Sequence, residues 1–191
     1  PASALRQLWA LSSFRVCADA AANRLRDSVK HAIDDERMVS GTPGQLRQRL
    51  HHLQEVSQLH SSMVPDIVTG DFDSIRPDVL DFYRQHGTRI AHNPSQASTD
   101  FEKSLVLIEE AQAASMRSCI NEGSPVHRWT VIAFGAFGDR FDHELASINV
   151  LYRFQKFARL LLMGERMTAC LLMPGQHVIR PNVHLEGPAC G

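Results

Sequence analysis

The sequence has no excess of charge of either sign, because 20 Lys and Arg residues are matched by 21 Asp and Glu residues among 191. Proteins that bind nucleic acid over a broad surface usually carry clustered Lys and Arg, so this balance argues against that class. The sequence also lacks any apolar run near the ~18 residues that a membrane-spanning helix requires. We therefore expect neither nucleic acid nor a membrane among its partners.

Cysteine is scarce and widely spaced. The cysteines form no Cys-x-x-Cys pair, the spacing typical of zinc sites and redox motifs, and stand at Cys17, Cys119, Cys170 and Cys190. No charged-then-apolar segment typical of a secretory signal opens the sequence. The expectation is a cytoplasmic protein whose thiols are reduced and mostly buried.

What is present is a regular alternation of strand-like and helix-like segments, in a chain with the ordinary globular composition of 43% hydrophobic and 21% charged residues. A helix-like stripe covers residues 2–11. Strand-like segments follow near 14–18, 64–70, 88–92 and 129–134, and helix-like segments near 20–33, 77–86, 99–116 and 139–157. Residues 158–179 are strand-rich. Such alternation implies parallel pairing and right-handed crossovers, so we predict an α/β fold with a doubly wound, mostly parallel sheet and flanking helices.

Two carboxylates follow the segment 64–70 and suggest metal chemistry. Asp71 and Asp73 are separated by one residue just after Gly70. Alternate residues at a strand end turn their side chains toward the same space. Hard oxygen ligands so placed suit Mg²⁺, which is normally shared with substrate phosphates. An Asx turn or a helix cap explains one of the two acids but hardly both, so the pattern predicts a Mg²⁺–phosphate site.

Two further polar positions follow predicted strands and are open to two interpretations each. Asp19 is either the N-cap of the next helix or a ligand at the same sheet edge. At the start of the longest helix, either Thr99 or Ser98 is simply the cap, or Thr99 is part of a site. In the first case Asp100 and Glu102 are simply favoured by the helix dipole.

The turn from Gly135 to Gly138 lies between a predicted strand and a predicted helix. A Gly-x-x-Gly turn lets backbone N–H groups approach an anion, and Arg140 adds a fork of donors suited to phosphate oxygens. The sequence contains neither a Walker A lysine motif nor Gly-x-Gly-x-x-Gly. A bound nucleotide is therefore expected to be held by the acids through metal and by this turn.

Taken in order, these segments resemble the thiamine pyrophosphokinase family. The resemblance covers most of the chain and is carried by Cys17-Ala18-Asp19, Ala22-Asn23-Arg24-Leu25, Gly70 to Pro77, Thr99-Asp100-Phe101 with Lys103, Gly138-x-Arg140-Phe141-Asp142-His143, Ala146 to Asn149, Pro174-Gly175-x-His177 and Glu186-Gly187.

The resemblance implies a homodimeric enzyme that transfers a diphosphoryl group from ATP to the hydroxyl of thiamine. The products are thiamine diphosphate and AMP, and Mg²⁺ is required. By position, Asp71, Asp73 and Asp100 match the catalytic acids around the metal. The resemblance also implies a set of nucleotide and phosphate contacts, which are Asp19, Asn23, Gln96, Thr99, Lys103, Gly138, Arg140 and Asp142. Within this set, Asp142 is expected to orient the site.

The resemblance also implies a domain organisation. Residues 1–165 match a catalytic α/β domain that binds nucleotide and metal, with residues 34–62 as a surface insertion. Residues 166–191 match a β-rich lead-in to a C-terminal β-sandwich. The family's first strand is expected before Pro1, and the sandwich after Gly191.

The chain departs from the family pattern in its acid-rich loop. The usual Asp-Gln-Asp-x-Thr-Asp reads here Ser95-Gln96-Ala97-Ser98-Thr99-Asp100, so two carboxylates are replaced. The usual Gly-Gly after the first acid reads Ala20-Ala21. Ser95, Ala97 and the position of the sandwich beyond the sequence motivate an alternative hypothesis, a degenerate relative that binds nucleotide or a protein partner without catalysis. A different Asp-x-Asp enzyme, such as a phosphatase or glycosyltransferase, is disfavoured by the other matched segments.

Overall fold

The computed structural model describes residues 2–37, 63–138, 140–164 and 167–179. Most of the predicted insertion at 34–62 and the last part of the predicted lead-in at 166–191 lie outside these residues. The division into domains therefore stays a prediction.

The described chain alternates helices and strands, which confirms the predicted α/β class. Its helices are α1 (Ala2–Leu11), α2 (Ala21–Arg37), α3 (Pro77–Gln85), α4 (Asp100–Asn121) and α5 (Phe141–Arg153). Its strands are β1 (Val16–Ala18), β2 (Ile67–Gly70), β3 (Arg89–His92), β4 (Thr130–Phe134), β5 (Arg159–Met163) and β6 (Thr168–Cys170). Among the described residues, no helix has the length and apolar character needed to cross a membrane.

The strands pair as two three-stranded sheets, in the orders β1-β2-β3 and β4-β5-β6. The first sheet is parallel throughout, as predicted, and β4 is parallel to β5. Strand β6 differs, because it pairs antiparallel with β5. The connection between β5 and β6 is short, whereas a parallel crossover needs a dozen or more residues. After β6, the described residues 171–179 have no regular structure, so within the described part of the predicted strand-rich segment 158–179 the strands are Arg159–Met163 and Thr168–Cys170.

Two helix starts have the local causes that the sequence suggests. Pro77 occupies the first helical position of α3, where its fixed φ suits the helix and its missing N–H costs nothing. Thr99 and Glu102 form a capping box at the start of α4. Both helices therefore begin at a defined residue just beyond the strand edge.

The core consists of two hydrophobic clusters joined by α4. The first cluster lies around β1 and β2 and includes Val68, Val79 and Tyr83. The second includes Leu105 of α4 together with Leu162 of β5. Because α4 also packs on β1 and β2, its first turn comes close to the carboxyl ends of those strands. This packing creates the polar site described next.

Candidate functional site

Three carboxylates from separate segments converge at the carboxyl edge of the first sheet. Asp19 follows β1, Asp71 follows β2 and Asp100 begins α4, and one oxygen of each lies within 4.8 Å of the others. The parallel register, in which Ala18 pairs with Thr69, brings the ends of β1 and β2 to the same level. The fold thus assembles an acidic group from residues up to 81 positions apart in the numbering of the chain.

Gly70 permits this close approach. A Cβ at this position would lie 2.8 Å from Asp19 Cβ and 3.2 Å from Asp100 Cγ. Its φ of +150° is also one that L side chains rarely adopt. Any larger residue at Gly70 would therefore push the acids apart.

Asp19 is the buried member of the group, with 4% of its surface exposed. Its Oδ1 accepts a hydrogen bond from the Ile75 N–H at 3.2 Å, so the carboxylate engages the loop after β2. Burial, followed by the negative charge of Asp100, raises the pKa of Asp19. Both effects disfavour an isolated buried anion, and a neighbouring cation would relieve them.

Asp100 is held by Lys103, one helical turn along α4. Lys103 Nζ lies 2.8 Å from Asp100 Oδ1, and the lysine side chain is only 3% exposed. The Asp71 N–H donates to the same oxygen at 3.3 Å. The structure thus turns the Lys103 ammonium, which the resemblance matched to a nucleotide contact, toward the acidic group.

Asp71 is the solvent-facing member and is oriented by two donors. Gln96 Nε2 donates to its Oδ2 at 2.7 Å, and the Asp73 N–H donates to its Oδ1 at 3.2 Å. These hydrogen bonds lower the pKa of Asp71, so its carboxylate is held charged. Gln96, another predicted nucleotide contact, therefore touches the acid itself.

Asp73 lies outside this group of three carboxylates. It is exposed and accepts a hydrogen bond from Ser74 Oγ at 2.6 Å. The expectation that Asp71 and Asp73 point the same way required strand geometry, but β2 ends at Gly70. Phe72 has a φ of +64° and its ring stacks on His92, so the chain turns between the two acids.

The first turn of α2 clamps the loop that carries these acids. Asn23 Nδ2 donates to the Ser74 carbonyl at 2.9 Å, and its Oδ1 accepts from the Arg76 N–H at 3.0 Å. The hydrogen bond from the Ile75 N–H to Asp19 adds a third contact. Ser74, Ile75 and Arg76 are therefore all anchored at the start of α2. Both ends of the Asn23 amide are occupied by the loop, a role that no local sequence pattern revealed.

Thr99 serves the structural role that was one of its two interpretations. Its Oγ1 accepts from the Glu102 N–H at 3.2 Å, and the Glu102 carboxylate accepts from the Thr99 N–H at 3.2 Å. Glu102 also pairs with Arg153 at the end of α5. The start of α4, and with it Asp100, is therefore fixed from two sides.

The turn after β4 is bonded to β5 at its start and to its own neighbours further on. The Gly135 and Ala136 N–H groups donate to the Met163 carbonyl at 2.8 and 3.2 Å. The Gly138 N–H donates to Glu144 Oε1 at 2.8 Å. Arg140 forms a two-pronged ion pair with Asp142, with Nη2 to Oδ2 at 2.5 Å, and this contact lowers the pKa of Asp142. Both side chains of the pair are more than half exposed. The donors predicted to contact phosphate are thus occupied by neighbouring carboxylates.

Comparison with known proteins identifies the family. Residues 5–162 match the family model described as "Thiamin pyrophosphokinase, catalytic domain". The chain belongs to this family.

Relatives in the thiamin pyrophosphokinase family are similar along nearly all of the chain. It is 34% identical to "Thiamine pyrophosphokinase 2" of Arabidopsis thaliana over 96% of this chain and 59% of that protein. Among solved structures, the yeast thiamin pyrophosphokinase matches with a TM-score of 0.58 and 26% identity, over 86% of this chain and 54% of that one. The enzyme from Candida albicans matches with a TM-score of 0.57 and 25% identity, over 84% of this chain and 54% of that one. The chain therefore spans a little more than half the length of these family members.

The acidic group fits the requirements of a divalent cation. Three carboxylates and one ammonium leave two formal negative charges, and carboxylate oxygens are the ligands that Mg²⁺ prefers. Ser95 and Ala97, which replace two acids of the family pattern, lie in an exposed loop. This loop still presents Gln96 to Asp71, so the replacements leave the three-carboxylate group intact.

Proposed function

We propose that this chain forms the catalytic α/β part of a Mg²⁺-dependent thiamine pyrophosphokinase. It would transfer the diphosphoryl group of ATP to the hydroxyl of thiamine, giving thiamine diphosphate and AMP. The observation that carries the proposal is the convergence of Asp19, Asp71 and Asp100 within 4.8 Å, in a chain whose residues 5–162 match the family's catalytic domain.

The chemistry of this transfer suits an acidic group of this kind. The alcohol oxygen attacks the β-phosphorus and loses its proton to solvent, the bond from that phosphorus to the bridging α–β oxygen breaks, and AMP leaves. Such reactions need positioning and charge neutralisation more than covalent help from the protein. When bound, Mg²⁺ supplies the charge neutralisation for the phosphate oxygens.

In this proposal the described residues have three roles, which are to bind the cation, to position the acids and to contact phosphate. Asp71 and Asp100 would hold the cation, with Asp19 beside them. Asp73, exposed two residues after Asp71, would act on the cation or on the phosphates that it carries. Gln96, Asn23 and Thr99 fix the geometry of the acids through the contacts described above. Gly138 and Arg140 would contact phosphate by exchanging Glu144 and Asp142 for phosphate oxygens.

A cytoplasmic location and a homodimeric state complete the proposal. The dimer is what the family resemblance implies, and the cytoplasmic location is what the scarce, widely spaced cysteines predict. Analytical ultracentrifugation of the full-length protein at micromolar concentration tests the dimer, with a sedimenting species of twice the chain mass as the expected result.

The direct test is AMP formation from ATP by the full-length protein, with and without thiamine. Thiamine-dependent AMP release that requires Mg²⁺ is the expected result, and Asp71→Asn should abolish it. Asp81→Asn, which removes an exposed carboxylate on α3, is the matched control and should retain activity. Nucleotide binding without any turnover would instead favour the degenerate relative suggested by Ser95 and Ala97.

A further inference from the structure

Lys103 has an unusual position for a lysine. Among the residues that the structure describes, it is the only Lys or Arg in the interior, with 4% of its surface exposed. Lysine normally carries its ammonium to water on a flexible stem. A buried ammonium is costly unless a charged partner compensates for its lost hydration. The partner of Lys103 is Asp100, at 2.8 Å.

The surroundings of this pair are strongly negative. Asp100 shares the edge of the first sheet with Asp19 and Asp71, whose oxygens lie within 4.8 Å of its own. At such distances like charges in a partly buried site repel one another substantially. Lys103 therefore forms its direct bond with one acid of a group of three, and its charge also acts on Asp71.

The helix start keeps the ammonium in this position. Asp100 and Lys103 are three residues apart on α4, the spacing that places side chains on one helix face. The capping box of Thr99 and Glu102 fixes this turn, and Ser104 donates to the Asp100 carbonyl at 2.8 Å. The lysine is thus held by the same elements that hold the acid.

We propose that Lys103 is the resident counter-charge of the acidic group and acts through its charge. It pairs with Asp100 Oδ1, whose position the capping box already fixes, and offsets one of three negative charges, which leaves a net charge matched to a divalent cation. The metal-binding part of this inference rests on the proposed function, whereas the charge pairing rests on the described contacts. Lys103 then sets how tightly the cation binds before any nucleotide arrives.

The rival assignment makes Lys103 a phosphate contact. In that case its loss would raise KM for ATP and leave metal binding in the absence of nucleotide unchanged. A counter-charge has the opposite signature, because its removal leaves one more negative charge beside the cation. Metal binding without nucleotide therefore separates the two roles.

The experiment is an Mn²⁺ titration of the full-length protein without nucleotide, followed by electron paramagnetic resonance. We expect Lys103→Met to bind Mn²⁺ about 10-fold more tightly than the wild type. Its metal-free Tm should fall by about 5 °C or more, and Mn²⁺ should recover part of that loss. Lys103→Arg, which keeps the charge, should stay within about threefold of the wild-type affinity. Lys156→Met removes an exposed lysine that pairs with Glu109, and should change nothing.

Unchanged or weaker Mn²⁺ binding by Lys103→Met would overturn the proposal. If Lys103→Met does not fold, the Tm of the double variant Lys103→Met with Asp100→Asn is compared with that of Asp100→Asn alone. A Tm close to that of Asp100→Asn alone supports charge compensation, whereas a second failure to fold assigns Lys103 a packing role and overturns the proposal. Because the titration does not measure turnover, absence of AMP release would refute the proposed function without affecting this test.

Discussion

Two loops at the carboxyl ends of strands differ in how their polar groups are held. The loop after β2, residues 71–76, is bound by side chains distant in the sequence, from Asn23 on one side to Gln96 on the other. In the loop after β4, the Gly135 and Ala136 N–H groups donate to the Met163 carbonyl of β5. The polar groups nearest the anion site instead contact their own neighbours, Gly138 with Glu144 and Arg140 with Asp142. The first loop is therefore preorganised, and the second must exchange partners before it can bind an anion.

This contrast has a functional meaning. A metal-binding group works best when its ligands are held in place before the cation arrives, because no free energy is then spent on ordering them. A phosphate-binding turn tolerates exchange, because an exposed carboxylate pair is weak and is easily replaced by a phosphate. Variants that separate the two regions can test this comparison.

The largest expected difference is in thiol reactivity between the two sheets. Burial raises the pKa of Cys17 on β1 to about 12, whereas Cys170 on β6 is exposed. Because the thiolate is the reactive form, iodoacetamide at pH 8 should modify Cys170 at least about 1000-fold faster. Peptide mass spectrometry over time gives both rates, and in urea the two should converge. Similar rates in the folded protein would show that the first sheet opens readily.

The raised pKa of Cys17 also predicts the direction in which the stability of the fold changes with pH. The folded-state pKa of Cys17 lies above its ordinary value of 9.0, so its contribution to stability is complete below that pH. It is lost progressively as the pH rises toward about 12. Cys17→Ala should therefore show a smaller alkaline fall in Tm than the wild type.

The next largest effect concerns the acids within the first loop. Asp71→Asn removes a member of the three-carboxylate group and should weaken Mn²⁺ binding about 100-fold, by analogy with the loss of a metal-site residue. Asp73→Asn, two residues away and outside the group, should weaken it less than about fivefold. Calorimetric titration of both variants measures the difference. Equal losses would mean that Asp73 joins the metal site and that the turn at Phe72 opens.

Loss of the clamp should have an intermediate effect. Asn23→Ala removes two hydrogen bonds to the loop backbone and should lower the free energy of unfolding by about 1–3 kcal/mol. Because the loop then holds Asp71 less firmly, Mn²⁺ affinity should fall about 10-fold. Urea denaturation and the same titration give both values. Asn121→Ala, at the exposed end of α4, is the control; a loss of stability with full metal affinity would separate the clamp from the site.

The smallest structural effect is expected in the second loop. Arg140→Gln breaks an exposed ion pair and should shift Tm by less than about 2 °C, with Mn²⁺ binding unchanged. Binding of ATP in the presence of Mg²⁺ should weaken about 10-fold if the guanidinium contacts phosphate. Arg84→Gln removes a comparable exposed pair with Asp81 and should leave ATP binding intact. Equal ATP affinity in the two variants would remove Arg140 from the proposed site.

Local patterns predicted the parts of the fold whose causes are local. The alternation of apolar residues indicated the helices and strands, Pro77 indicated the start of α3, and a cap at Thr99 was one of two interpretations of the start of α4. The sheet-edge position of Asp19 was one of two interpretations, and its carboxylate lies beside those of Asp71 and Asp100.

Long-range contacts were not predictable from local patterns. The bond between Asn23 and Ser74 joins residues 51 positions apart, and no residue near Asn23 indicates it. The turn between Asp71 and Asp73 depends on a left-handed Phe72 that stacks on His92, a conformation that propensities do not favour for phenylalanine. Burial of Lys103 likewise depends on tertiary packing, because the sequence alone favours an exposed ammonium.

Anomalous diffraction from a crystal soaked in Mn²⁺ tests most directly whether Asp19, Asp71 and Asp100 hold one divalent cation. An anomalous peak within bonding distance of carboxylate oxygens of Asp71 and Asp100, beside Asp19, is the predicted result. A well-occupied peak elsewhere with no density at this group, or a peak bound by Asp73 alone, would contradict the account.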